Sequence, residues 1–119
     1  MTEVAFWILT ALAGGRQHGY GILRDADELS NGVVKLRVTT LYTSLDRLER
    51  DGRIQRAGEE TVDGRARRYY ELTPEGRTAL QIETEHLMAR ARAAEKRLAT
   101  PQAAAFRPGT AGMSAAVAS

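Results

Sequence analysis

The sequence predicts a mainly α fold with a small β-hairpin: a winged helix-turn-helix followed by one long C-terminal helix. Three observations carry this prediction. Residues 4–52 hold successive helix-period segments separated by glycine-rich breaks. Two short extended runs then flank Asp63-Gly64, a dipeptide of the kind that turns a hairpin. Finally, Thr73-Pro74-Glu75 opens a helical pattern that continues to about Ala99. Helix, helix, helix, hairpin, long helix is the order of a helix-turn-helix with a wing. The boundaries expected are residues 1–73 for the winged domain, 74–99 for a dimerisation helix and 100–119 for a disordered tail.

Residues 4–13 are apolar nearly all round, which suits a helix buried on several sides. Ile8 and Leu12 can face the chain's own core, leaving Trp7 and Ala11 to face something else, a second subunit being one option. Gly14-Gly15 ends the helix. A second helix opens at His18-Gly19-Tyr20-Gly21, with an apolar stripe of Ile22, Leu23, Ala26 and Leu29, and stops at Ser30-Asn31-Gly32. His18 reads as the residue that leads the chain into this helix. The third helix is expected from Thr39 or Thr40 to Arg50, its core face drawn by Leu41, Leu45 and Leu48, with Asp51-Gly52 closing it. The extended runs are Arg53 to Glu60 and Ala66 to Thr73. In the second, Arg68, Tyr70 and Leu72 share one face and Arg67, Tyr69 and Glu71 the other.

The long helix carries Leu80, Thr84, Leu87, Ala91, Ala94 and Leu98 at alternating spacings of four and three, a heptad seam. Threonine and alanine make it a weak zipper, so another helix must help to cover it, and the first helix has apolar surface to spare. From Pro101 on, the chain is rich in Ala, Gly, Pro and Ser, with Arg107 its single charge.

With 119 residues the chain accommodates one compact domain and an extra helix, not two enzyme-sized domains. It has no cysteine, which excludes disulfides, thiolate metal sites and cysteine nucleophiles. His18 and His86 lack the spacing of a metal site or catalytic pair, and Gly19-Tyr20-Gly21 is not followed by a phosphate-loop pattern. No enzyme, cofactor or metal is therefore expected. Neither a secretory signal nor a membrane-spanning run is visible, so a cytoplasmic protein is the expectation.

The net charge of +2 is too small to name a partner; the distribution of charge says more. On the third helix Thr39, Thr43, Arg47 and Arg50 point away from the leucine stripe. Hydroxyls reach phosphates or a thymine methyl, and a guanidinium forks onto guanine. A solvated helix surface has the same look. Arg65, Arg67 and Arg68 cluster at the hairpin tip and second strand, where a wing meets the DNA backbone. Arginines on an exposed hairpin also serve to block edge pairing. Two basic elements expected on one surface favour double-stranded DNA. Tyr20 can donate to a phosphate or half-bury in the core; Tyr42 and Tyr70 read as packing residues, and Trp7 as dimer core before ligand platform. The rival readings are a winged-helix protein-interaction module and a ligand-binding dimer without operator activity.

Three stretches together resemble the PadR family of transcriptional regulators: His18-Gly19-Tyr20-Gly21-Ile22-Leu23, Thr40-Leu41-Tyr42 through Leu45-Asp46-Arg47-Leu48-Glu49-Arg50-Asp51-Gly52, and Arg67-Arg68-Tyr69-Tyr70-Glu71-Leu72-Thr73-Pro74-Glu75-Gly76. The resemblance covers about residues 4–98, and the single C-terminal helix points to the short subgroup. It implies a homodimer, usually a repressor, on a palindromic operator, with the first and last helices forming the dimer interface: Phe6, Trp7, Leu80, Leu87, Ala91, Ala94 and Leu98. It also implies that Tyr20, Thr40, Tyr42, Arg65 and Arg67 approach the DNA backbone, with Thr39, Thr43 and Arg47 better placed to read bases. Some relatives sense phenolic or drug-like ligands at the interface, where Trp7 is the flat aromatic that a small aromatic effector would meet. One departure stands out: Arg37-Val38-Thr39 occupies the start of the third helix, where relatives tend to carry small or cap-forming residues.

Overall fold

The computed structural model describes residues 1–101, so the tail expected over 100–119 falls, from residue 102 on, outside the described residues. Helix α1 (Glu3–Ala13) is capped by Thr2, whose hydroxyl accepts the Ala5 N–H at 3.1 Å. A short strand β1 (Gln17–His18) leads into α2 (Gly19–Leu29), and α3 (Val38–Arg50) follows. Strands β2 (Ile54–Val62) and β3 (Arg65–Leu72) form the hairpin, and α4 (Pro74–Leu98) completes the described chain. The fold is mainly α with a hairpin wing, as the sequence predicts.

The core is built by the expected stripes. Leu41, Leu45 and Leu48 of α3 meet Ile8, Leu9 and Leu12 of α1, Ile22 of α2, and Ile54 and Tyr70 of the sheet. Removal from water of each such side chain stabilises the fold by roughly 1.5–3 kcal/mol. Two expectations need correction. Ala11, expected to face outward with Trp7, is only 7% exposed and belongs to this core. It lies one turn from Ile8 and next to Leu12, so the buried arc of α1 is wide enough to include it. Leu29, expected in the apolar stripe of α2, is 51% exposed. The buried line runs through Ile22, Ala26 and Ser30, and Leu29 is rotated off it. Ser30 is satisfied locally, accepting the Val34 N–H at 2.9 Å and donating to the Asp27 carbonyl at 3.3 Å.

The sheet has three strands in the order β1-β3-β2, all pairings antiparallel. β1 was not foreseen, because two residues are too short to carry a period. Asp63 and Gly64 both take positive φ, 53° and 76°, as a two-residue hairpin turn of the right hand requires. Between Arg56 and Glu59 the register shifts, and Gly58 at φ 103° makes the irregularity.

The junction into α4 is tightly specified. The Thr73 hydroxyl donates to the Gly52 carbonyl at 2.6 Å and accepts the Gly76 N–H at 2.9 Å. A Cβ at Gly76 would run into the Arg53 carbonyl, so only glycine lets α4 start here. Two compact units make up the chain. Residues 1–84 hold the core and sheet; in the unit that begins at Glu85, the described residues of α4 are exposed.

Candidate nucleic-acid interface

The surface of interest is assembled around the start of α2. His18 is its N-cap, with Nδ1 accepting the Gly21 N–H at 3.2 Å. That bond needs a lone pair, and the surroundings favour one. Burial lowers the His18 pKa, as do the nearby Arg67 and Arg24 guanidiniums, while Glu60 and Asp25 oppose them. The Gln17 side chain accepts the His18 N–H at 3.1 Å and fills the space that a Cβ at Gly21 would need. Gly19 is small for a similar reason: a Cβ there would stand 2.6 Å from the Tyr42 hydroxyl. Tyr42 of α3 can therefore lie across the start of α2.

This packing opens a groove of about 470 Å³ between the helix-turn-helix and the wing. Tyr20, Tyr42, Arg65, Arg67 and Arg68 line it together with His18 and Gly19. Tyr20 is 68% exposed and Tyr42 42%. The packing role expected for Tyr42 and its approach to the groove thus coexist, whereas Tyr70 is fully buried, as a packing residue should be. Thr39, Thr43 and Arg47 are exposed on α3. Thr43 donates to the Thr39 carbonyl at 2.9 Å, which leaves its oxygen free to accept. Thr40 is exposed but borders a different cleft, beside Lys35, Arg37 and Glu3.

The helix start carries the departure seen in the sequence. α3 begins at Val38, one residue before the expected Thr39, and its N-cap Arg37 makes no side-chain cap bond. At its other end Glu49 is drawn toward the sheet by Arg56, with Nε to oxygen at 3.3 Å.

On the wing, Glu60 stands opposite Arg67 and Glu59 opposite Arg68. Opposite charges facing across the strand pair temper the field of the arginines. A side-chain hydrogen bond with Tyr70, joined by the charge of Glu59, raises the pKa of Arg68. Tyr69 is the busiest wing residue. The Arg16 guanidinium lies 4.2 Å over its ring, His18 meets it edge-on at 5.4 Å, and its hydroxyl donates to Glu60 at 3.3 Å. Sequence reasoning placed Tyr69 on a strand face without a role and gave none to Arg16 or the two glutamates, and their spacing along the chain offers no signal that would bring them together.

The residues expected at a dimer interface fall elsewhere. Phe6 and Trp7 are half-buried on α1, edge to face at 5.2 Å, and the Trp7 indole N–H donates to Glu3 at 3.2 Å. Neither lines the groove. Leu80 packs half-buried against the core, whereas Leu87, Ala91, Ala94 and Leu98 are exposed.

Three helices, a wing and a tyrosine- and arginine-lined groove between them define a winged helix-turn-helix of the gene-regulatory type. More narrowly, the chain belongs to the transcriptional regulator PadR-like family, which matches residues 8–82. It is a family of transcriptional regulators, not enzymes. Over 77 residues the chain is 42% identical to Transcriptional regulator Rv3488 of Mycobacterium tuberculosis, spanning 65% of this chain and 68% of that protein. A PadR family regulator from Clostridium difficile superposes with a TM-score of 0.67 at 24% identity, over 82% of this chain and 99% of that one. Bacillus subtilis PadR, solved in complex with operator DNA, gives a TM-score of 0.63 at 23% identity, over 71% of this chain and 48% of that one. Among the described residues, no helix is long and apolar enough to cross a membrane.

Proposed function

We propose that this regulator binds double-stranded DNA as a homodimer and represses transcription from a palindromic operator. The observation that carries this reading is the groove, where Tyr20, Tyr42, Arg65, Arg67 and Arg68 converge from two helices and the wing. Phenol hydroxyls and guanidiniums are donors, and converging donors suit phosphate oxygens. The exposed face of α3, with Thr39, Thr43 and Arg47, would enter the major groove, with Arg47 reading a base and Arg65 and Arg67 following the backbone. The operator complex of Bacillus subtilis PadR supports the same use of the fold.

The dimer would form through α1 and α4. Phe6 and Trp7 retain exposed surface, and Leu87, Met88 and Leu98 are exposed on α4. A planar aromatic effector would bind beside Trp7 and shift the spacing of the two recognition helices, loosening the operator complex. Repression itself would be steric, an occupied operator blocking polymerase.

Gel-shift binding to the DNA upstream of the protein's own gene, against random competitor, tests the reading. Arg47→Ala should weaken the specific site by about 1–3 kcal/mol and leave random DNA nearly unchanged. Arg67→Ala should weaken both and reduce the salt slope by about one. Wild-type binding by both variants would overturn the assignment of these residues.

A further inference from the structure

Beyond its register irregularity the wing has little to hold it. Glu59, Glu60, Thr61 and Asp63 to Ala66 are all exposed, so hardly any apolar packing fixes the angle of this half of the hairpin. Arg65 and Arg67 nevertheless have to be presented at a set distance from Tyr20 if one groove is to grip a DNA backbone. The restraint comes from outside the hairpin. Arg16, in the connection between α1 and β1, donates from its guanidinium to the Ala57 carbonyl at 2.9 Å, at the irregularity itself. The same guanidinium lies over the Tyr69 ring, 4.2 Å from its centroid. Gly58, the next residue, takes φ 103°, a conformation that side chains rarely adopt, and a Cβ there would only touch the Arg16 guanidinium at ordinary contact distance. Tyr69 in turn meets the ring of His18, the cap of the helix that carries Tyr20.

We propose that Arg16 is the positioning residue of the wing, clamping the β2 irregularity to Tyr69 so that Arg65 and Arg67 keep one fixed relation to Tyr20. The proposal rests on the DNA-binding reading for its consequence, but not for its geometry. A planar guanidinium suits the task because it stacks on a ring through its face while its edge donates to a carbonyl. Arg16 acts on the DNA through the wing and makes no phosphate contact of its own.

The test is a double-mutant cycle together with amide exchange on the full chain. Arg16→Ala and Tyr69→Leu should each weaken the specific site about fivefold, the size of an exposed cation–π contact. The double variant should be no weaker than either single one, because the two residues form one device. Tyr69→Phe keeps the ring and should bind like wild type. Arg16→Ala should keep the wild-type salt slope; a slope reduced by about one would make Arg16 a direct phosphate contact and overturn the proposal. Additive losses in the cycle would overturn it as well. Without DNA, exchange of the amides from Glu59 to Arg67 should rise in Arg16→Ala while that of Leu45 and Leu48 stays put. Unchanged wing exchange would overturn the clamp whatever the DNA result. A loosened wing in a protein whose wild type binds no DNA would uphold the clamp and sink the DNA-binding reading instead.

Discussion

His18 shows how one side chain ties local structure to the interface. Its Nδ1 caps α2, its ring meets Tyr69, and it sits in the groove beside Tyr20. Because the fold lowers its pKa below 6.5, the folded chain binds fewer protons there than the unfolded chain does. The stability that this group contributes is therefore complete above pH 6.5 and is lost as the pH falls below that value. Thermal melts at pH 7.5 and 5.5 should show a drop that shrinks in His18→Asn, whose amide oxygen can cap without titrating. An undiminished drop in that variant would move the effect to other groups. The sequence marked His18 as leading into the helix, and the structure adds the reason: an imidazole acceptor in the right place with its proton on the other nitrogen.

At the scale of elements, the best-determined junction is that of β3 with α4, held against the turn between α3 and β2. Thr73 bonds forward to Gly76 and back to Gly52, and Gly76 lies against the Arg53 carbonyl. Gly76→Ala should destabilise the domain by roughly 3 kcal/mol, the upper end for forcing atoms into a packed site. The urea midpoint should fall with the slope unchanged. A loss of only a few tenths of a kcal/mol would mean that the junction yields easily. Thr73-Pro74-Glu75 announced this helix start in the sequence, and Asp63-Gly64 announced the hairpin, because both depend on the preferences of adjacent residues. The irregularity at Gly58 and the strand at Gln17 were silent. Each exists only because β3 is there to pair with.

At the scale of the whole molecule, the proposed homodimer makes its own demand. An assembly held by the exposed apolar residues of α4 should melt at a temperature that rises with protein concentration. Leu87→Glu should abolish that dependence and yield a monomer by sedimentation, with the helical content of the residue 1–84 unit retained. Operator binding should fall with it, since a palindrome is gripped by two half-site contacts. A dimer that survives the substitution would place the interface elsewhere on the chain.

The sequence by itself determined the succession of helices and hairpin, the leucine stripe of α3, the turn at Asp63-Gly64 and the arginines carried by α3 and the wing. These are set by periodicity and by the backbone preferences of neighbouring residues, which a linear reading sees directly. Only the tertiary structure decided that Ala11 is buried and Leu29 is not, that Thr40 lies apart from Tyr20 and Tyr42, and that Arg16 lies over Tyr69. Those facts depend on how far each helix is rotated against its neighbours and on pairs of residues 41 and 53 positions apart, Arg16 with Ala57 and with Tyr69. Contacts at such separation are made by the packing of whole elements, and no local pattern encodes them.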